Sequence, residues 1–465
     1  MIKIKHLSNL KLPVRASLSY TVAASLSKAA GLLFTPVFTR LLSQGEYGSY
    51  TLYISIIGLC TVICTALTSG GAMYKAYSLF PSDREKISSA ALGLSIAFAI
   101  PLSFAVILFG EGMGLPSALA PLIFIQLICD AAIASRLCAL RYTYSYKEAA
   151  FLTLFCSLGA PIVSLVLLRA FPGELARALG LLTVSLIAAL PTLLSSLRLG
   201  VLRPRMWRIS AKFSLPMLPG AITTAVISQA DKLILAAYLG KEVLASYSVA
   251  HSIGIGLTFI TGSLGAALQP WMIRKLSAGD DRAVSIVLRD ICTSLGALTI
   301  LVVLLAPEVL LLLTPGSYFS ALPAVLPIAL AVLPIFTLSS LAIEAIHFSC
   351  PLIPALSLTV GALSNLISNV LLIPSIGYIG AGISLLIAYS AANICCYLLL
   401  RKKAKIGTLL PRSLIFIFFL TASVSLLGAF LYSELFARIV LIPIPVLILL
   451  YVWRSAREYL GEIKA

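Results

Sequence analysis

Five ionisable residues stand in stretches of the chain that are otherwise apolar: Lys28, Asp130, Asp231, Lys232 and Glu344. A charge inside an apolar span has no water to solvate it, so each is a functional candidate by default. Polar residues recur around them at helical spacing. Thr21, Ser25, Lys28, Thr35 and Thr39 fall on one helix face, as do Thr224, Ser228 and Asp231. Gln126 and Asp130 are i,i+4 partners, and Thr337, Ser340, Glu344 and His347 form a further group with Gly361, Asn365 and Asn369 on the next segment. Hydroxyls and amides so placed have two uses, as interhelical hydrogen bonds that hold a bundle together or as contacts for a polar substrate. Lys28 lies ~16 Å from either end of its segment at 1.5 Å per residue, too far for its stem to reach the membrane surface, so it must face protein or water. Glu344 sits near the end of its segment, where water is close. Asp231 and Lys232 are adjacent, hence about 100° apart on a helix, and cannot both point into one cavity.

Other chemistry is not written into the chain. The only Gly-Lys pair, Gly240–Lys241, is followed by Glu242, so no phosphate-binding loop of the G-x-x-x-x-G-K-[ST] type occurs. Neither G-x-S-x-G nor H-E-x-x-H is present. The nine cysteines lie in or at the edges of apolar segments as small packed thiols, and His6, His251 and His347 are too scattered for a metal site. An enzyme, a cofactor and a metal are therefore not expected.

The elements that position these residues follow from composition. Of 465 residues 60% are hydrophobic and 11% charged, against about 25% charged in a soluble domain. A soluble enzyme, a disordered chain and a secreted disulfide scaffold are excluded. Apolar runs of the roughly 20 residues needed to cross a bilayer are expected near 17–39, 47–70, 88–109, 117–138, 149–168, 178–197, 213–238, 244–266, 290–313, 322–345, 354–373, 379–400, 412–431 and 437–453. The first run follows a basic stretch and resembles a signal peptide in outline, but Lys28 interrupts it and no A-x-A site closes it, so it reads as a permanent helix.

With the N-terminus in the cytoplasm, 27 of the 34 Lys and Arg fall on cytoplasmic stretches and five on the other side. That bias is the positive-inside pattern, and it puts both termini in the cytoplasm. The net charge of +17 is thus an orientation code, and no nucleic-acid partner is needed to explain it. Arg40, Arg136 and Arg141 stand at the mouths of spans, where they would add positive charge to a cavity whose five deep charges sum to −1.

A repeat is also legible. LSQGEYGSYTLYISI from Leu42 matches LGKEVLASYSVAHSI from Leu239 at an offset of 197, and SLVLL at Ser164 matches SNVLL at Ser368 at an offset of 204. The offset carries segments 1–6 onto 7–12 with the same orientation, which is the parallel repeat of some transporter folds. The expected architecture is an all-α polytopic membrane protein with about 14 transmembrane helices, in two parallel six-helix lobes around a central cleft. The expected boundaries are 1–212 for the first lobe, 213–405 for the second and 406–465 for two additional helices with a tail.

Four strings, FTRLLSQGEYGSYTLY, LPMLPGAITTAVISQADKLILAAYLGKEVLASYSVAH, QPWMIRKLSAGDD and ALSNLISNVLLIPSIGYIGAGISLLIAY, occur in an order and spacing that resemble the bacterial polysaccharide flippases, the O-antigen and capsule repeat-unit translocases of the superfamily that includes the MATE exporters. The resemblance runs over about 400 residues. It implies a MATE-like fold in the bacterial inner membrane and a secondary transporter that flips an undecaprenyl-diphosphate-linked oligosaccharide among membrane lipids. A polysaccharide polymerase of the same pathway is an implied partner. In that setting Lys28 would meet the diphosphate, and Thr21, Ser25, Thr224, Ser228, Asn365 and Asn369 would line the sugar path. Asp231, Asp130 and Glu344 would be the carboxylates that exchange a proton or sodium ion. The loop HFSCPLIP lacks the basic residues that family members often carry there. A peptidoglycan lipid II flippase and a MATE-type drug or cation antiporter share the same outline. An integral-membrane polymerase or ligase would need a large outside loop, and the longest expected here is about ten residues.

Overall fold

The computed structural model describes residues 12–68, 70–201, 203–404 and 413–462. Among these the secondary structure is helical throughout. The first half holds α1 (Leu12–Leu41), α2 (Gln44–Ala66), α3 (Gly71–Leu79), α4 (Arg84–Phe109), α5 (Ala120–Tyr142), α6 (Tyr146–Leu167), α7 (Gly173–Leu199), α8 (Pro204–Ser214) and α9 (Leu218–Leu239). There follow α10 (Lys241–Gly254), α11 (Thr258–Ser277), α12 (Asp281–Leu313), α13 (Val325–Leu330), α14 (Val332–His347), α15 (Leu352–Ile376), α16 (Tyr378–Ala404), α17 (Ser413–Phe430), α18 (Leu435–Leu441) and α19 (Pro443–Glu462). Thirteen stretches among the described residues are long and apolar enough to cross a membrane. The segment expected at 244–266 is divided between α10 and α11. Gly254 ends α10 and Gly256 lies in the break itself, each glycine costing a helix about 1 kcal/mol relative to Ala. Gly254 also packs so closely that a Cβ there would lie 2.8 Å from Ile328.

Cα packing divides the chain into two compact units, residues 1–245 and 246–465. The repeat division expected near residue 212 and this packing division are separate properties, because α9 packs on α2 inside the first unit. Leu52, Tyr53 and Ile56 of α2 meet Ile123 and Leu127 of α5 in its core. Helices α6 and α7 touch at Gly180, where a Cβ would fall 2.2 Å from Ser164 Oγ and 2.6 Å from its backbone nitrogen. At one end the amphipathic α8 lies on α3 and α4. Trp207 Nε1 donates to Val201 O at 2.9 Å and Ser214 Oγ to Leu67 O at 3.3 Å, while Arg205, Arg208 and Lys212 stay exposed.

In the second unit α15 and α16 form a long hairpin through Gly377, whose φ of +63° is the left-handed conformation glycine adopts freely. Gly361 and Gly380 let the two backbones approach, with a Cβ at either glycine falling within 3 Å of a carbonyl oxygen opposite. The 33-residue α12 spans ~50 Å and carries α17 and α19 on its flank. Arg438 of α18 ties this layer down, donating to both carboxylate oxygens of Glu308 at 2.7 Å and to Leu304 O at 2.8 Å.

The Gly180 contact yields a direct test. Gly180→Ala overpacks the α6–α7 seam and is expected to lower unfolding stability in detergent by about 1–3 kcal/mol. Gly31→Ala, in open space on α1, should be neutral or slightly stabilising. Thermal unfolding of the two purified variants separates these outcomes.

Candidate functional site

The best-defined polar cluster lies inside the first unit, centred on Asp130. The i,i+4 spacing on α5 brings Gln126 over Asp130, and Gln126 Nε2 donates to Asp130 Oδ1 at 2.7 Å. The same Nε2 reaches Ser185 Oγ of α7 at 3.0 Å, and Thr61 Oγ1 of α2 donates to Asp130 Oδ2 at 2.9 Å. The carboxylate therefore takes neutral donors from α2 and α5, and Gln126 extends the cluster to α7. No cationic side chain among the described residues forms an ion pair with it. Tyr53 Oη and Gln126 Oε1 are buried without a hydrogen-bond partner, so the cluster holds unused polar capacity in a region of low dielectric.

The α9 residues divide by face. Asp231 is 1% exposed and its Oδ1 accepts from the Lys232 backbone N–H at 2.8 Å. Lys232 turns back along the helix, its Nζ donating to Ser228 O at 2.8 Å and to Gln229 Oε1 at 3.4 Å. Thr224 and Ser228 are exposed, and both hydroxyls return to carbonyls one turn earlier. Their stripe with Asp231 is therefore split between an open and a buried face.

On α1, Thr35 and Thr39 are buried, Thr35 Oγ1 donating to Gly31 O at 2.9 Å. Thr21 and Ser25 are half-buried. The side chain of Lys28 lies outside the described residues. At the far end of the unit Glu46 closes a capping box with Ser43 and accepts the Gly173 backbone N–H at 3.1 Å. Beside it Arg177 of α7 lies over Tyr50 and Phe38, 3.8 Å and 4.1 Å from the ring centroids, a cation–π seat that fastens α1 and α2 to α7. The start of α2 also meets α10, where Gly48 leaves room for the Lys241 carbonyl and Gln44 Nε2 donates to Glu242 O at 3.2 Å.

In the second unit Asn369 Nδ2 donates to Asn365 Oδ1 at 3.0 Å, and both residues are fully buried. Asn365 Nδ2 and Asn369 Oδ1 have no partner, and neither has Ser384 Oγ of α16. Glu344 is 4% exposed, so its place near a helix end does not bring it into water. Thr337 Oγ1 donates to Asn393 Oδ1 at 2.9 Å and Asn393 Nδ2 to Pro334 O at 2.7 Å, bracing α14 on α16. This brace forms one wall of a groove of about 570 Å³ whose other walls are apolar residues of α16 and α17, among them Ile394, Leu398, Leu414 and Phe418. Among the described residues no cluster of three His, Cys, Asp or Glu could hold a metal ion.

The three arginines at span ends are exposed. Arg40 donates to Pro36 O at 2.9 Å, Arg141 lies over the Tyr20 ring at 5.7 Å, and Arg136 approaches Glu148 at 3.5 Å. The structure thus brings Asp130 together with Gln126, and Asn365 with Asn369, as their spacing foretold. It adds Thr61, Ser185, Arg177 and Asn393, which no local pattern marks because their partners are on other helices. For Thr61, Ser185 and Asn393 a hydroxyl or amide in an otherwise apolar span is the one signal they carried, and for Arg177 it is a charge at the start of one.

The family model described as polysaccharide biosynthesis protein matches residues 37–291. A search of curated proteins returns no significant match. Among solved structures, lipid II flippase MurJ in an inward closed conformation superposes with a TM-score of 0.71 at 16% identity, covering 96% of this chain and 99% of that one. A multidrug resistance MATE family transporter of the MOP superfamily, inward-facing, gives a TM-score of 0.57 at 13% identity over 82% of this chain and 98% of that one. Its outward-facing counterpart gives 0.55 at 12% over 87% and 98%. At these identities the likeness establishes the fold, a many-helix membrane fold shared with both groups.

The Asp130 cluster makes a separable prediction. Thr61→Val and Ser185→Ala should each lower unfolding stability in mixed micelles by about 1 kcal/mol. Thr61→Val combined with Asp130→Asn should show a coupling of at least ~0.5 kcal/mol in a double-mutant cycle. Strict additivity would mean that the Thr61–Asp130 hydrogen bond does not contribute.

Proposed function

The chain belongs to the polysaccharide biosynthesis protein family, and from that premise we propose that it flips an undecaprenyl-diphosphate-linked oligosaccharide repeat unit across the bacterial inner membrane for O-antigen, capsule or other surface polysaccharide. The observation that carries this reading is the two-sided groove of the second unit. Its α14–α16 wall offers Thr337, Ser390, Asn393 and Tyr397, whereas α17 contributes Leu414, Ile415, Ile417 and Phe418. Such a surface suits a molecule with a hydrogen-bonding head and a long hydrocarbon tail. A diphosphate and sugars cannot enter hydrocarbon without a large desolvation cost, so the head needs a polar route while the tail stays against apolar side chains.

In this reading Lys28 meets the diphosphate as a point charge, and Thr21, Ser25, Asn365 and Asn369 offer hydrogen bonds along the route. Asp130 and Asp231 couple the cycle to an ion gradient, Asp130 being held by neutral donors that tolerate either charge state. Both termini lie on the cytoplasmic side with the basic loops, and a polymerase of the same pathway receives the flipped unit.

A second reading, transport of lipid II itself, is favoured by the superposition on lipid II flippase over nearly the full length of both chains. The two readings share a polyprenyl diphosphate and differ in the sugar. Deleting the gene separates them: loss of surface polysaccharide with normal growth fits the first reading, and growth arrest with accumulated lipid II fits the second. In the complemented strain Lys28→Ala should abolish surface polysaccharide at unchanged protein level, and wild-type polysaccharide there removes Lys28 from the path. Asp130→Asn should reduce transport at least tenfold and flatten its dependence on the proton or sodium gradient. Ile394→Trp, which narrows the groove, should reduce transport without altering that dependence.

A further inference from the structure

A second groove, of about 500 Å³, opens in the first unit between α5, α6 and α7 at the end that carries the basic turns. The proposed transport route does not use it. Arg136 and Lys147 stand on its rim with Glu148, over a floor of Phe151, Ala188 and Pro191. Arg136 Nη2 is 3.5 Å from Glu148 Oε2, with both side chains at least half exposed, a loose contact beside the 2.7–2.9 Å of a well-formed charge-assisted hydrogen bond. Two cations and one carboxylate leave the rim at +1. That matches a single phosphodiester and falls short of a diphosphate.

Three further features suit a membrane lipid. The Thr192 hydroxyl lines the groove and is buried without a partner, so a polar group entering here finds a hydroxyl whose donor and acceptor capacity are both unused. Below the rim, Phe151 stacks on Phe155 with centroids 6.0 Å apart, and Phe151, Leu158, Ile162 and Val166 continue down α6 as an exposed apolar row. At the tip of the α5–α6 turn Tyr144 is held at φ +57° with its ring exposed, the position of an aromatic at the headgroup level.

We propose that this groove seats one anionic glycerophospholipid of the surrounding membrane. Its phosphate sits between Arg136 and Lys147, its glycerol hydroxyls reach Thr192, and an acyl chain follows the α6 row. The inference does not depend on what the protein transports. It is tested on the full-length protein in detergent, by native mass spectrometry during titration with dioleoyl phosphatidylglycerol or dioleoyl phosphatidylcholine. One phosphatidylglycerol should be retained about tenfold more tightly than phosphatidylcholine. The preference should fall to parity in R136Q/K147Q, and retention should fall in A188W, which fills the floor and keeps both charges. The α8 variant R205Q/R208Q/K212Q, which removes three exposed charges elsewhere against two in the groove, should retain the preference. Wild-type retention in both groove variants, or loss only in the α8 variant, overturns the proposal. Stoichiometric displacement of the phosphatidylglycerol by undecaprenyl diphosphate also overturns it, because the seat would then belong to the transported lipid.

Discussion

Hydrocarbon supplies no hydrogen bonds, and this constraint governs the whole molecule. Helices satisfy their own backbones, so the open question is what each polar side chain does. Most hydroxyls turn back on the preceding turn: Thr35 to Gly31 O, Ser55 to Thr51 O, Thr223 to Pro219 O, Ser357 to Ile353 O. These groups spend their one proton within a single helix and hold no two helices together. The informative ones bond across helices, as Thr61 does to Asp130 and Thr337 to Asn393, or have no partner at all, as with Asn365 Nδ2, Asn369 Oδ1 and Ser384 Oγ.

The same constraint explains the use of glycine. Between helices in lipid the driving force is close contact rather than escape from water, so seams form where backbones can approach. Gly180 against Ser164, Gly361 against the Ala388 carbonyl and Gly296 against Thr421 are such places. Elsewhere large apolar side chains point outward, Phe430 and Phe436 among them. On a soluble protein such a surface would aggregate, whereas here acyl chains cover it.

How much of this was legible in the sequence depends on the range of the interaction. Hydropathy and the distribution of Lys and Arg are sums over many residues, so the all-helical membrane architecture was plain. The i,i+4 pairs Gln126–Asp130 and Asn365–Asn369 were also plain, because one helix sets both partners. The break at Gly254–Gly256 was hidden, since a hydropathy window averages over it while the backbone does not. Burial of Glu344 was hidden as well, because nearness to a helix end says nothing about which neighbour covers it. Arg177 was the largest omission. It packs on the rings of Phe38, Tyr47 and Tyr50, and three helices must fold before that site exists.

Two carboxylates in long apolar helices meet opposite treatment, and the contrast separates structure from proposed coupling. Glu308 on α12 takes two guanidinium hydrogen bonds from Arg438, so removing its charge would strand a cation whose side chain is 5% exposed. Leaving a buried cation uncompensated is strongly unfavourable, which favours the charged carboxylate and makes the pair a fastener. Asp130 takes its bonds from a threonine hydroxyl and a glutamine amide. Neither partner is left charged if a proton or a sodium ion arrives, and each keeps other hydrogen-bonding options. A group that must change charge during a transport cycle requires surroundings nearly indifferent to the change. Neutral donors on α2 and α5 meet that requirement, and the Gln126–Ser185 hydrogen bond lets the change be felt at the α7 contacts of the first unit as well.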